Sequence, residues 1–245
     1  MIQVIVPMAG ESSRFVDKGY IPKPFLPLID GNSIVESIED HLLFLAKKDN
    51  IKVNLSFLIK ETFLQNNVYR SILANLQSNI YKVSTPNLGP LATISQVLHN
   101  FDDNDSLIIY DCDQLSIFSI KYMFRKDRGC VLTMKHTDPA MSYVGRGGDA
   151  AVDRVAEKQV ISDEASCGVY FFPSVKEFKT AALYDFSKNN SLNGEFRVAN
   201  LYNFLIKQGM SVDTYKCSRY FSLGTPSNYE YFCKQQIQDY KAYLK

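Results

Sequence analysis

The sequence has little of what most zinc, nucleophilic and disulfide sites require. Its three histidines show no H-x-x-x-H or H-E-x-x-H spacing, and no serine lies in a G-x-S-x-G turn. The five cysteines are odd in number, widely spaced and without a C-x-x-C pair. These absences argue against a zincin, a serine hydrolase and a disulfide scaffold, so we expect reduced, buried thiols.

The sequence also lacks an excess of charge and a long apolar run. Lys and Arg total 27 against 26 Asp and Glu, so no overall field favours nucleic acid or an anionic membrane. No apolar stretch approaches the roughly 20 residues of a membrane span, and no leader-like segment precedes the first apolar run. We therefore expect a cytoplasmic protein without nucleic-acid or membrane partners. The 15 Tyr and 16 Phe would accommodate a homodimer interface.

Apolar runs alternate with amphipathic segments along the whole chain, with no linker or repeat between them. We predict strands at 4–8, 52–59, 80–83, 106–110, 130–135, 151–156, 167–172 and 212–216, and helices at 33–46, 62–76, 91–99, 175–188, 195–208 and 227–244. This alternation predicts an α/β fold in which a mixed, mostly parallel sheet lies between helices. Residues 1–245 then form a single domain, with ligands at the carboxyl ends of the strands.

A turn of small residues near the amino end is followed by two cations. Arg14 comes directly after the turn, and Lys23 follows between Pro22 and Pro24. Backbone N–H groups at such a turn can hold phosphates while the cations neutralise them. On the turn alone, an ordinary strand-to-helix connection with a surface Arg is an equal alternative, but two prolines that fix the backbone around one Lys favour a phosphoryl site. The predicted nucleotide-binding turn consists of Met8, Ala9, Gly10, Glu11, Ser12 and Ser13.

A second group of candidate residues follows the strongly apolar strand at 106–110. Asp111 and Asp113 stand at its carboxyl end. Mg²⁺ needs only one or two protein carboxylates, because phosphates and water complete its shell. The alternative is that these acids cap the next turn. We predict Asp113 as the metal ligand.

Two further segments could serve a second substrate. Glu157 and Lys158 follow a predicted strand, and Glu195 is predicted to open a helix. Taken singly, an acid at a helix start complements the helix dipole, and a Lys after a strand is usually solvated. Together they would supply a cation for a phosphate and acceptors for hydroxyl or amine groups.

Eight segments, taken in order, resemble the nucleotidyltransferase family of sugar-phosphate nucleotidylyltransferases. They are VIVPMAGESSRF, IPKPFLPL, NLGPLATISQVL, LIIYDCDQ, VAEKQVIS, ASCGVYFF, NGEFRVANLYNFLI and SLGTPSNYEYF. The resemblance implies a Rossmann-like three-layer α/β/α fold. It also implies a Mg²⁺-dependent transfer of NMP from an NTP to a phosphorylated acceptor, with release of pyrophosphate.

The resemblance also implies roles for particular residues. It assigns the triphosphate to Gly10, Ser12, Ser13 and Arg14, the α-phosphate to Lys23, the turn before the base-binding helix to Asn87, Gly89 and Pro90, the metal to Asp113 beside Asp111, and the acceptor to Glu157, Lys158, Gly168 and Glu195. Two positions depart from the family pattern. Ser12 replaces a glycine of the first loop, and Ser222 stands where many members place a second metal-binding Asp.

Short members of the family include cytidylyltransferases that activate phosphocholine, sugar phosphates or phosphoglutamine. Residues 139–143 and 155–158 are similar to compact capsule-locus members. This similarity favours CTP as the nucleotide and a role in capsule or surface polysaccharide biosynthesis.

Two other classes of function are compatible with parts of the pattern. A GT-A-type glycosyltransferase would also carry an acidic metal motif at a strand end, although it has no triphosphate for Arg14 and Lys23 to neutralise. A non-catalytic nucleotide-binding regulatory subunit would account for the substitutions at positions 12 and 222. Release of pyrophosphate would distinguish a nucleotidyltransferase from a glycosyltransferase. Turnover would distinguish it from a non-catalytic subunit.

Overall fold

The computed structural model of the protein describes residues 1–84, 88–148 and 150–244. The strands are β1 Ile2–Pro7, β2 Pro27–Ile29, β3 Asn32–Ser33, β4 Val53–Lys60, β5 Asn79–Val83, β6 Ser106–Tyr110, β7 Gln114–Ile117, β8 Arg128–Lys135, β9 Ser142–Arg146, β10 Val152–Glu157, β11 Glu164–Phe172, β12 Ser211–Lys216 and β13 Arg219–Ser222. The α-helices are α1 Ser13–Val16, α2 Ile34–Lys48, α3 Asn67–Asn75, α4 Pro90–Ser95, α5 Ile120–Met123, α6 Val175–Ser187, α7 Leu201–Lys207, α8 Pro226–Tyr231 and α9 Ile237–Tyr243. Short 3₁₀ helices span Lys23–Phe25, Glu61–Gln65 and Leu98–Asn100, and a π-helical turn spans Phe232–Gln236.

A nine-stranded mixed sheet forms the middle layer. Its main path runs β10-β9-β11-β6-β1-β4-β5, and β8 and β12 extend it from β11. Strands β6, β1, β4 and β5 are parallel, and only β11 and β10 run opposite to the other seven strands. The predicted mixed, mostly parallel sheet is therefore confirmed. The chain leaves β1 for β4 and β5 on one side and returns to β6 on the other, which makes the carboxyl ends of β1 and β6 a switch point of the sheet.

Helices cover both faces of this sheet because the strands are apolar on both faces. Along β1, Val4 and Val6 pack into the core cluster that contains α2, whereas Ile5 packs into the opposite cluster with α4, α6 and α7. The helix α2 begins with a capping box, in which Ser33 and Glu36 satisfy each other's backbone N–H groups. Within the described residues, no helix combines the length and the apolar character that crossing a membrane would require.

Several predicted helices are shorter in the structure. The helix predicted at 62–76 divides at Asn66, whose side chain accepts hydrogen bonds from the N–H groups of Val68 and Tyr69 and so caps α3. The helix predicted at 91–99 ends at Ser95, and the one predicted at 227–244 is interrupted by the π-helical turn. Strands β2, β3, β7, β9 and β13 were not predicted, since they are short and carry no long apolar run.

The prediction that Glu195 opens a helix is wrong. Helix α7 begins only at Leu201, while Leu192 and Glu195 form an isolated β-bridge. The Phe196 N–H donates to the carbonyl oxygen of Leu88 at 2.8 Å, so this segment is bound to another part of the chain instead of to its own helical turn.

A buried histidine on α2 joins the C-terminal helix α9 to β7, which pairs with β13 in a separate two-stranded sheet. The His41 Nε2–H donates to the carbonyl oxygen of Ser116 at 2.8 Å, since that oxygen can only accept, and the Tyr240 hydroxyl donates to Nδ1 at 2.8 Å. Burial lowers the pKa of His41 to about 4, with a small opposing contribution from the bond to Ser116.

We predict that His41 makes the fold sensitive to mild acid. The unfolded chain binds a proton below its ordinary pKa near 6.5, whereas the folded chain resists protonation until about pH 4, so stability falls between these values. The expected loss from about pH 7 to about pH 5 is about 2 kcal/mol. Urea unfolding at both pH values measures it. His41→Gln should remove most of this loss, and the exposed His99→Gln should retain it; equal losses in all three proteins would contradict the assignment.

Candidate functional site

The predicted cations and the predicted metal ligand lie in one pocket. A pocket of about 190 Å³ is lined by Arg14, Lys23 and Asp113, together with Ser12, Ser13, Phe15 and Gly224. It adjoins a cleft of about 530 Å³, whose lining also includes Arg14, Asp113 and Gly224. Both lie at the carboxyl ends of β1 and β6, which are adjacent and parallel. The sheet topology therefore brings Arg14 and Asp113 together, although they are 99 positions apart in sequence.

A serine in the left-handed conformation connects the first loop to the Lys23 segment. Ser12 has φ 55°, a region that favours glycine, and this position is where the family pattern has glycine. Its Oγ accepts a hydrogen bond from the Lys23 N–H at 3.1 Å. The side chain that replaces glycine is thus used as a link between the loop and the lysine.

The other residues of the predicted nucleotide-binding turn have different environments in the structure: one lines a pocket, two are buried and two are exposed. Ser13 lines the small pocket. Met8 and Ala9 are buried in the two core clusters, so their side chains contribute packing. Gly10 and Glu11 are exposed and lie outside the lining of both cavities, and the Glu11 carboxylate forms an ion pair with Lys60.

Two half-buried carboxylates of the cleft, Asp111 and Asp113, interact with Lys23 of the small pocket. The pKa of Asp111 is raised to about 8 by burial and by the negative charges of Asp113 and Glu157, which outweigh Lys23 and Arg197. Burial by itself would lower the pKa of Lys23, but its contact with Cys112 and the charges of Asp113 and Asp111 raise it. Around Asp111, burial and the neighbouring carboxylates therefore outweigh the nearby cations.

A divalent cation beside Asp111 and Asp113 would offset the repulsion between them. Asp111 and Asp113 both line the large cleft, and carboxylate oxygens are the ligands that Mg²⁺ takes. Among the described residues no group of three His, Cys, Asp or Glu side chains could hold a metal. A Mg²⁺ held by these two carboxylates would complete its shell with phosphate oxygens and water. Ser222, at the position of the second Asp in the family pattern, lines the cleft and accepts a hydrogen bond from the Asn228 amide at 2.8 Å.

Close approach of glycines fixes the positions of both carboxylates. Gly168 has φ 74°, and a Cβ there would lie 2.7 Å from Asp111 Oδ2. The Asp111 N–H donates to the carbonyl oxygen of Gly168 at 2.8 Å. On the other side, the Leu223 N–H donates to the Asp113 carbonyl at 2.7 Å, and a Cβ on Gly224 would lie 3.3 Å from Asp113 Oδ2.

The turn before α4 packs against the segment that contains Glu195. Gly89 has φ 87°, and a Cβ there would lie 2.7 Å from the carbonyl oxygen of Phe196. The Leu91 N–H donates to that oxygen at 3.2 Å. Pro90 lines the large cleft, whereas Asn87 lies outside the described residues.

The predicted acceptor residues lie in or beside the large cleft. Glu157, Lys158 and Gly168 line it, and Lys158 is exposed. Glu195 is outside the lining, but its carboxylate forms an ion pair with the guanidinium of Arg197, which lines the cleft. The structure therefore brings all of the described acceptor candidates to one region.

Sequence reasoning missed several residues that line the cleft, among them Arg197, His136, Asp138 and Tyr220. Arg197 stands two residues after Glu195, inside a segment that carries the resemblance, so its charge could have been noted. The others lie on loops or on a short strand without any local pattern that indicates a site.

No protein-family model matches the sequence, and no curated protein matches it. The structure is similar to that of a nucleoside-diphosphate-sugar pyrophosphorylase from Vibrio cholerae, with a TM-score of 0.79, 23% identity and coverage of 95% of this chain and 100% of that chain. It is also similar to the inositol-1-phosphate CTP transferase from T. maritima, with a TM-score of 0.72, 14% identity and coverage of 99% and 96%. A putative glucose-1-phosphate thymidylyltransferase from Bacillus anthracis gives a TM-score of 0.69 at 16% identity, with coverage of 100% and 95%. These neighbours are sugar-phosphate nucleotidyltransferases, so the expected fold is confirmed.

We predict that Gly168→Ala destabilises the protein more than Gly19→Ala. Both glycines have positive φ, of 74° and 81°, so both substitutions introduce backbone strain of about 1–2 kcal/mol. Gly19 has open space around a Cβ, whereas Gly168 faces Asp111. The clash should add about 1–3 kcal/mol, measured by urea unfolding. Equal losses would show that the approach to Asp111 is not a constraint.

Proposed function

We propose that this protein is a nucleotidyltransferase that moves NMP from an NTP to a phosphorylated small molecule and releases pyrophosphate. The observation that carries the proposal is the convergence of Arg14, Lys23 and Asp113 on one pocket that adjoins a larger cleft. The pocket suits a triphosphate, and the cleft offers room for the rest of the nucleotide and for an acceptor.

In the proposed reaction, an oxygen of the acceptor's phosphate attacks the α-phosphorus of the NTP. A new P–O bond forms while the bond to the β-phosphate oxygen breaks, and the electron pair leaves with pyrophosphate. The attacking phosphate is already ionised at neutral pH, so the chain need not supply a general base. Positioning and charge neutralisation then account for catalysis.

Each charged group of the pocket has a defined task in this reaction. Arg14 binds the triphosphate, and Lys23 stabilises the negative charge on the α-phosphate, with its backbone held by Ser12. Asp113, with Asp111 beside it, holds Mg²⁺, which when bound supplies positive charge to the phosphates.

We further propose CTP as the nucleotide and a phosphorylated acceptor such as phosphoglutamine, a sugar phosphate or phosphocholine. The resemblance of residues 139–143 and 155–158 to compact capsule-locus members supports CTP and a role in surface polysaccharide biosynthesis. One of the similar structures is a CTP transferase that acts on inositol 1-phosphate, which is compatible with this choice. The reaction would take place in the cytoplasm.

The proposed activity is tested by measuring pyrophosphate release from each NTP with a panel of phosphorylated metabolites in the presence of Mg²⁺. We expect turnover with CTP and at least one acceptor, and its loss in Asp113→Asn. Release of a nucleoside diphosphate from a nucleotide sugar, without pyrophosphate from any NTP, would instead identify a glycosyltransferase. Nucleotide binding without turnover for every pair would identify a non-catalytic subunit.

We predict that Lys23→Ala lowers kcat while the affinity for NTP changes little. Loss of a preorganised charge on the transferring group should cost about 2–4 kcal/mol of transition-state stabilisation, or roughly 30-fold to 1000-fold in rate. Steady-state pyrophosphate release and nucleotide titration measure the two effects. Lys18→Ala removes an exposed lysine that lines neither cavity and should retain full turnover. Wild-type kcat in Lys23→Ala would exclude the role of Lys23.

A further inference from the structure

Two buried thiols are in contact beside the large cleft. The Cys167 S–H donates to Cys217 Sγ at 3.4 Å, although the two residues are 50 positions apart in sequence. Cys167 lies on β11 and lines the cleft, and Cys217 follows the last residue of β12. The proposed transfer reaction uses neither sulfur, so the pair is available for chemistry of its own.

The contact makes the two sulfurs unequal. The hydrogen bond from Cys167 lowers the pKa of the Cys217 thiol, and the charge of Lys216 acts in the same direction, against the effect of burial. Burial and the same hydrogen bond raise the pKa of Cys167. Cys217 is therefore the thiol of the pair that ionises first, and the thiolate is the form of cysteine that attacks an oxidant.

The arrangement places an attacking thiol beside a second thiol that can capture its oxidised form. Cys217 is the more accessible of the two, with 8% of its surface exposed against 1% for Cys167. A sulfenic acid that has such a neighbour condenses with it to a disulfide, which is reversible, instead of progressing to the irreversible acids.

Closing the disulfide requires a small movement of the two sulfurs. A sulfur–sulfur bond is about 2.05 Å long, so the atoms must approach each other by about 1.4 Å. The pairing of β11 with β8 is irregular between Ser166 and Tyr170, which leaves Cys167 outside the regular ladder of these strands. Cys217 lies just beyond the paired residues of β12. The movement therefore falls on the irregular part of β11.

Gly168 would transmit this movement to Asp111. It is bonded directly to Cys167, and its carbonyl oxygen accepts the Asp111 N–H at 2.8 Å. A Cβ on Gly168 would lie only 2.7 Å from Asp111 Oδ2, so there is no free space between the two residues. A shift of Gly168 must displace the carboxylate or weaken the backbone hydrogen bond.

We propose that Cys167 and Cys217 are an oxidation site, at which a hydroperoxide converts the pair into an intramolecular disulfide and the accompanying shift of Gly168 disturbs Asp111. With hydrogen peroxide, the Cys217 sulfur attacks one oxygen and becomes a sulfenic acid, while the other oxygen leaves as water. The Cys167 sulfur then attacks the sulfenic sulfur, and the Cys167 proton leaves with the hydroxyl group as a second water. Two thiols and one peroxide thus give one disulfide and two waters. Formation of the disulfide is independent of the proposed nucleotidyltransferase function, whereas its effect on turnover rests on that function.

Peptide mapping after oxidation tests the disulfide itself. The full-length protein is treated with hydrogen peroxide, its remaining thiols are alkylated, and digestion with mass spectrometry locates the cross-link. We expect a peptide pair that joins Cys167 to Cys217, and that dithiothreitol separates, in wild type and in Cys233→Ser but not in Cys217→Ser. Cys233 is a half-buried cysteine that lines neither cavity and serves as the matched control. Wild type alone shows whether the bond forms, so the result does not depend on the folding of a variant.

Amide hydrogen exchange tests the effect on Asp111 without any substrate. Exchange of the Asp111 N–H should become about tenfold faster or more after oxidation, because its hydrogen bond to Gly168 is weakened. With a substrate pair that turns over, oxidation of wild type should lower the rate of pyrophosphate release by about tenfold to 100-fold, and dithiothreitol should restore it. Cys217→Ser should have wild-type turnover before the treatment and keep it afterwards.

Three results would overturn the proposal. In the first, Cys167 and Cys217 are still alkylated after the half-buried Cys112 and Cys233 have been oxidised. In the second, the cross-link forms but exchange at Asp111 is unchanged. In the third, peroxide inactivates Cys217→Ser as fully as wild type, which would assign the loss to another group. A reduced wild type that releases no pyrophosphate with any acceptor would instead refute the proposed function, and the peptide map and the exchange rates would still decide the oxidation site.

Discussion

The confinement of two carboxylates in one cleft is the constraint on which the rest of the site depends. Asp111 and Asp113 follow the most buried strand of the sheet and repel each other, as the raised pKa of Asp111 indicates. The fold tolerates this arrangement because the backbones of both residues are held: the Asp111 N–H donates to Gly168 on β11, and the Asp113 carbonyl accepts from the Leu223 N–H after β13. Lys23 and Arg197 approach from opposite parts of the chain and offset part of the charge. A divalent cation would offset the remaining repulsion between the two carboxylates.

The site is assembled by the sheet rather than by any local segment. Strands β1 and β6 supply the two ends that meet at the switch point, and β11 supplies Gly168. The turn before α4 and the segment before α7 are joined through Gly89 and Phe196. Each of these contacts links residues that lie far apart in sequence, so the geometry depends on the whole domain.

Sequence patterns predicted the elements that are long and strongly apolar. The strand at 106–110 coincides with β6 because it is a continuous apolar run, and the helix at 175–188 differs from α6 by one residue because it has a helical period and a capping serine, Ser174. The helix predicted at 195–208 is present only as α7, and the prediction failed at 195–200. There a tertiary contact outweighed local preference, since Phe196 is bound by the turn at Gly89.

The candidate site was likewise predicted only in part. Arg14, Lys23 and Asp113 were identifiable because each follows a recognisable strand or turn, and the structure places them in one pocket. Arg197 was not identified, because it reaches the cleft beside Glu157, a residue 40 positions earlier, and no local pattern indicates that contact. The wall of the cleft also depends on glycines, which have no side chain. At positions 89 and 168 both the backbone conformation and the space exclude any side chain, whereas a methyl group at 224 would only touch Asp113 Oδ2 at 3.3 Å. During sequence divergence, the wall beside Asp113 therefore has some latitude to change, and the wall beside Asp111 has almost none.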